Sequence, residues 1–106
     1  MGDSDDLQAA IAALWRDAWP RTIRRVETLE EAVAALGAGT LDDDLGERAR
    51  HEAHTLTGSL GTFGMPAGSD HARALEQRLE NGVGSEDAPA IAQHVSALRR
   101  IVEDGR

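Results

Sequence analysis

The sequence predicts an all-α protein: an antiparallel up-and-down four-helix bundle with a short additional N-terminal helix. Three observations predict it. Alanine and leucine dominate the apolar residues, and both favour helix. No stretch alternates apolar with polar residues over the length of a strand. Five segments instead repeat apolar residues at helical spacing, and the breaks between them are short and contain Gly or Pro. Short connections between amphipathic helices imply antiparallel neighbours. The whole chain, residues 1–106, reads as one domain with a small core.

The elements follow in order. Residues 1–6 read as a frayed end, with Asp5 or Asp6 capping the first helix. Leu7, Ala10, Ile11, Leu14, Trp15 and Ala18 carry its periodicity, and this short helix should pack at one end of the bundle. Pro20 breaks or kinks the path and suits the first turn of a new helix. That second helix runs from about Arg21 to Leu36, with Ile23, Val26, Leu29, Val33 and Leu36 as its apolar side. Arg21, Arg24 and Arg25 form a local basic cluster, read as a solvated face with ion pairs or as a docking site for an acidic partner. Gly37-Ala38-Gly39 stops the helix.

Thr40 or Asp42 starts the third helix, with Asp43 and Asp44 in its first turn. Residues 64–68 are a break, and Ser69 or Asp70 caps a fourth helix to about Glu80, with Ala72, Leu75 and Leu79 inward. Residues 81–84 form a turn, and Ser85 opens the last helix, with Pro89 in its first turn. Ile91, Val95, Leu98 and Val102 make a single stripe, and residues 103–106 read as a loose tail.

Composition excludes several functions. A net charge of −8 argues against nucleic acid and fits a soluble, monomeric cytoplasmic protein. With no cysteine there is no disulfide, thiolate catalysis or cysteine-ligated metal. No apolar run reaches membrane-spanning length, and the acidic amino terminus is no secretory signal.

The third helix carries the chemistry. At about 100° per residue, Leu45, Ala49, Ala53, Leu56, Leu60 and Phe63 fall within an arc of about 80°, a core-facing stripe. His54 lies about 140° from the middle of that arc, so it points at solvent. Glu47, Arg50, His51, Thr57, Gly58 and Gly61 share its face. A helical side chain leans back over the preceding turn, so the spot beside the His54 ring belongs to residue 58, which is glycine. Gly58 and Gly61 each cost a helix about 1 kcal/mol relative to alanine. They either leave an imidazole bare for a second protein, admit a close neighbouring helix, or mark the helix end. A neutral imidazole nitrogen can attack a phosphoryl group and hold it as a phosphoramidate.

Residues 53–60, A-H-T-L-T-G-S-L, followed by Gly64, Ala72 and Leu75-Glu76, resemble the histidine phosphotransfer (HPt) domain family. The histidine, the glycines and the later Leu-Glu pair all keep the family's spacing. The resemblance implies a monomeric bundle that relays phosphate in a multistep two-component phosphorelay. His54 would be the phosphoacceptor, through Nε2, and Gly58 would give the partner room to close over it. The partners implied are response-regulator receiver domains and a hybrid histidine kinase, with Mg2+ and most catalytic groups on the receiver. The chain has no kinase domain and would be a phosphocarrier rather than a stand-alone enzyme. Where the family usually has lysine, this chain has Thr57, which offers a hydroxyl and no cation. Arg50, with His51, is expected to supply part of the missing charge. Gly68 and His71 stand where the family tends to place apolar residues, so the start of the fourth helix is expected to be looser or shifted.

Other readings compete. His51 and His54, with Glu47, could hold a metal, but no fourth ligand is visible. His71 and His94 read as surface or boundary residues. A Ser-His-Asp hydrolase lacks a nucleophile elbow. Asp42-Asp43-Asp44 lacks the remaining ligands of a calcium loop. The alternative function is a non-catalytic helical interaction module, a degenerate HPt domain that binds a receiver or another partner without phosphotransfer.

Overall fold

A computed structural model describes residues 2–105, in which Met1 and Arg106 are not included. The described residues form four α-helices and no strand: α1 (Asp3–Gly37), α2 (Asp43–Thr62), α3 (Pro66–Glu80) and α4 (Ala88–Asp104), with a 3-10 turn at Ser85–Asp87. α1 packs on α2 and α4, and α3 packs on α2 and α4, so the helices form a closed square. The connections are short enough to force antiparallel neighbours. The tightest, residues 63–65, turns at Gly64, whose φ of +77° suits glycine, while Met65 N–H reaches back to Leu60 O at 2.8 Å. Asp42 caps α2, its side chain accepting from Leu45 N–H at 2.8 Å.

One helix stands where the sequence predicts two. α1 runs unbroken through Pro20. Proline removes one helical hydrogen bond and crowds the carbonyl four residues back, a cost of about 3 kcal/mol. Pro20 and Arg16 are both exposed, so water can take up the freed carbonyl. Tertiary bonds hold the two halves in line. Trp15 Nε1–H donates to Gly105 O at 2.6 Å and Trp19 Nε1–H donates to Val102 O at 3.0 Å. Trp15 also packs its ring on Phe63, centroids 5.1 Å apart.

The N-terminal part of α1 does not pack at the end of the bundle. Residues 3–14 are all exposed, with Leu7 at 62%, Ile11 at 37% and Leu14 at 59%. A 35-residue helix is about 52 Å long by its rise per residue. That length accounts for the long axis of the 54 × 20 × 20 Å molecule. Two expectations of frayed ends also give way: Asp3 to Asp6 and Glu103 to Asp104 are helical, with Met1 and Arg106 outside the described residues.

The core lies along the predicted stripes. Val26, Leu29 and Leu36 from α1, Ala49, Ala53, Leu56 and Leu60 from α2, Ala72 and Leu75 from α3, and Ile91, Val95, Leu98 and Val102 from α4 are buried together. Ile23, Val33, Phe63 and Leu79 pack at its margin, partly buried. α3 begins at Pro66, earlier than the Ser69 or Asp70 start the sequence suggests. Gly68 explains the shift. Buried in the first turn, a β-carbon there would sit 3.0 Å from Leu60 Cδ1 and 3.3 Å from Ile101 Cγ2, so glycine lets α3 approach closely and start early. The last helix also differs at its start, because Ser85 opens a 3-10 turn and α4 follows from Ala88.

His71 and His94 face each other across the seam of α3 and α4, Nδ1 to Nδ1 at 2.9 Å, both half-buried. Such a bond needs one ring to donate and the other to accept. Burial, then the charges of His71 and Arg78, push the His94 imidazole below its ordinary value of 6.5. The unfolded chain therefore binds more protons than the folded one as pH falls through that value, so stability is full above it and declines below it. The denaturation midpoint should drop on going from neutral to mildly acidic pH, and His94→Gln should flatten that slope. An equal slope in the variant would move the effect elsewhere.

Candidate functional site

α2 presents the candidate site midway along its outer face. Its inner stripe fixes the orientation: with Ala53 and Leu56 fully buried, the residues between and beyond them must turn outward. The His54 side chain is 66% exposed. Its Nδ1 lies 2.7 Å from Oε2 of Glu76, which α3 projects from beside the buried Leu75. A carboxylate only accepts, so the facing ring nitrogen carries the hydrogen. Nε2 is then the nitrogen with the free lone pair, on a side chain that is largely open to solvent. Glu76 is well covered, its side chain 16% exposed, so the ring is held from a fixed base.

Gly58, one helical turn after His54, faces open space. A β-carbon there would meet no atom within 4 Å. Gly58 is therefore not a packing glycine, and α2 continues past it to Thr62, so it does not mark a helix end. Gly61 is also exposed, and a β-carbon there would touch only Ser69 Oγ at 3.6 Å, an ordinary contact. Close helix approach accounts for neither residue; in this molecule that role falls to Gly68.

The other predicted site residues are placed less simply. The Thr57 hydroxyl donates to Ala53 O in its own helix at 2.9 Å, so its hydrogen is spent on α2 rather than turned to the solvent face. Thr57 O in turn accepts from Ser69 Oγ–H at 2.7 Å, which pins the start of α3 to α2 beside the site. Arg50 grips both Glu47 oxygens through Nε, at 3.1 and 3.0 Å, and its Nη1 lies 3.8 Å from Glu80. This contact holds the Glu47 carboxyl below its usual range and keeps Arg50 more firmly charged than usual. The guanidinium, borne one helical turn before His54, is thus already shared among carboxylates. His51 is exposed and borders a shallow depression with Thr28, Asp44, Glu47, Arg48 and Glu52, on the α1 side of α2. The structure joins His54 to Glu76, sets Arg50 against Glu47 and Glu80, and turns His51 to the α1 flank. Among the described residues, no group of three or more His, Asp or Glu side chains is arranged to hold a metal ion.

Sequence reasoning missed Glu76 as the partner of His54. The signal was present, since Glu76 adjoins the core residue Leu75 and so lies at the edge of α3, but nothing local says which neighbouring helix that edge meets. No helix among the described residues is long and apolar enough to cross a membrane.

No curated protein and no solved structure matches the chain. A family model does: the Hpt domain model matches residues 3–104, nearly the full length. With an exposed histidine on the second helix of a four-helix bundle and that match spanning the fold, the chain belongs to the Hpt domain family, whose members carry phosphoryl groups on histidine in phosphorelays.

Proposed function

We propose that this chain is a phosphocarrier that accepts a phosphoryl group on His54 Nε2 from a receiver-domain aspartate and passes it to another receiver. The observation that carries the reading is the ring itself: Nδ1–H is held by Glu76, the side chain is largely exposed, and Gly58, one helical turn on, leaves open space. In the step, the Nε2 lone pair attacks phosphorus, the bond to the aspartyl oxygen breaks, and the receiver keeps its carboxylate. The ring keeps its Nδ1 hydrogen and gains positive charge, which the Glu76 carboxylate offsets at 2.7 Å. The Mg2+ that neutralises the phosphoryl oxygens belongs to the receiver. Arg50, Thr57, Gly58 and Gly61 surround His54 as the contact face, with His51 at its α1 edge. This reading takes a hybrid histidine kinase upstream, receivers on either side and a cytoplasmic location.

The test is chemical. Incubation with a phosphorylated receiver should give label that acid removes and alkali does not, as for a phosphoramidate. No label from any of several receivers that nevertheless bind would favour an interaction module without transfer.

Glu76 offers a second check. Hydrogen bonds to charged groups contribute about 1.5–3 kcal/mol, equivalent to roughly 10- to 150-fold in rate. Since His54 is largely exposed, Glu76→Gln should slow transfer by about tenfold, at the low end of that range, with little change in receiver affinity. An unchanged transfer rate would remove Glu76 from the mechanism.

A further inference from the structure

The projecting part of α1 carries an apolar stripe. Leu7, Ile11 and Leu14 are exposed along it, and Ala18 continues it into the bundle. The four follow each other at steps of four, three and four residues. At about 100° per residue they fall within an arc of about 60°. The steps read the same in both directions, so the stripe matches itself when one copy is turned end for end. Laid antiparallel, Leu7 of one copy meets Ala18 of the other, and Ile11 meets Leu14. Ala18 is covered by its own chain but borders a groove with Leu14, Thr22 and Phe63, which gives the incoming leucine a seat. The bundles do not collide in this register. Trp15, the first buried residue of α1, lies opposite Ala10 of the second copy.

The charges of α1 up to Arg25 fit the same arrangement. Asp3, Asp6, Asp17, Arg21 and Arg24 lie along one flank of the stripe. Asp5 and Arg16 lie on the far side of the helix, and Arg25, in line with the stripe, is held by Glu52 at 2.7 Å. A two-fold axis sets the same flank of each copy against itself. Asp3 and Asp6 then stand alongside Arg24 and Arg21 of the second copy, while Asp17 stands opposite the uncharged Ala10. Arg21 and Arg24 are exposed and form no ion pair among the described residues. A parallel pair would instead put acidic end beside acidic end. We propose that two copies of this chain associate through α1, antiparallel, with Ile11 against Leu14 at the centre. The contact is one short helix pair, smaller than the about 800 Å² per partner of a standard interface. Two chains of net charge −8 also repel at long range. The dimer is therefore weak, and at low concentration the chain is the monomer its composition suggests. None of this depends on whether His54 carries phosphate.

Sedimentation velocity from about 10 μM to about 1 mM tests the association. The parent should pass from monomer towards dimer across that range. Ile11→Asp should raise the dissociation constant about tenfold or more, because a charge would enter the centre of the contact. Arg21→Glu with Arg24→Glu, and separately Asp3→Arg with Asp6→Arg, should each stay monomeric where the parent is dimeric. An equimolar mixture of those two variants should dimerise as the parent does, since each supplies the charge the other now lacks. A variant that had merely lost its helical arm could not be rescued by mixing. The chain has no cysteine, so single introduced thiols report the register. Ile11→Cys mixed with Leu14→Cys should cross-link under mild oxidation several-fold faster than either variant with itself. A parent that stays monomeric up to the highest concentration would overturn the proposal. So would a mixture that stays apart, or Ile11→Cys linking with itself as fast as with Leu14→Cys.

Discussion

A His54→Gln chain should fold as the parent does and take up no phosphoryl group, a loss of at least about a thousandfold, since an amide supplies no nucleophilic nitrogen. The expectation of an intact fold follows from exposure. The His54 side chain is 66% open to solvent and hydrogen-bonds to Glu76, so the substitution touches no core contact among the described residues. Surface changes of this kind usually shift stability by no more than about 0.5 kcal/mol. The variant also decides between the two histidines of α2. His51 stays in place three residues earlier, exposed but turned towards the α1 side and without a partner like Glu76. Label that survives in His54→Gln and disappears in His51→Gln would transfer the acceptor role to His51. Thermal melts that coincide, with label lost only in the His54 variant, would fix it on His54.

Much of the fold was legible because burial in a bundle is one-sided. Ile91, Val95, Leu98 and Val102 repeat at helical spacing, and all four are in the core. The same holds for Leu45, Ala49, Ala53, Leu56 and Leu60 on α2. Pro20 was misread because its cost is local and its compensation is not. The indole hydrogens of Trp15 and Trp19 reach carbonyls 90 and 83 residues away in sequence, and no window around Pro20 contains them. Leu7, Ile11 and Leu14 were legible as a stripe but not as an exposed one. Periodicity reports that a helix has an apolar side, not that a neighbour is long enough to cover it, and α2 and α4 both end near Trp15.

The site divides in the same way. The outward turn of His54 and the glycine beside it follow from angles on one helix, so they were readable. The bond to Glu76 and the pinning of Thr57 O by Ser69 depend on how α3 lies against α2, which in turn depends on Gly68 admitting that helix closely. The expected role of Arg50 as a replacement cation met a competitor on its own helix. Glu47, three residues earlier, takes the guanidinium in a two-oxygen grip. Spacing alone places both residues on the face of His54 but does not say which of them the arginine will choose.

Gly58 gives the second large effect, and here stability and function should move in opposite directions. Space for a β-carbon is free, so no neighbour resists a larger side chain in the fold. Replacing a mid-helix glycine by alanine gains about 1 kcal/mol, which for a domain of this size raises the melting temperature by about 4–8 °C. Gly58→Leu should keep most of that gain, since leucine is also a strong helix former. Its side chain, however, leans back over the preceding turn, onto the place where an incoming phosphoryl group and its receiver must stand over His54. Transfer should therefore fall by about a hundredfold or more in Gly58→Leu and by less in Gly58→Ala, while both melt above the parent. Blocked approach costs binding and transfer together, because the reacting atoms no longer reach each other. The hydrogen bond between Nδ1 and Glu76 runs to α3 and should persist, which imidazole nitrogen chemical shifts would report. A Gly58→Leu chain that is more stable and still transfers at the parent rate would mean that the receiver reaches His54 without needing the empty place beside it.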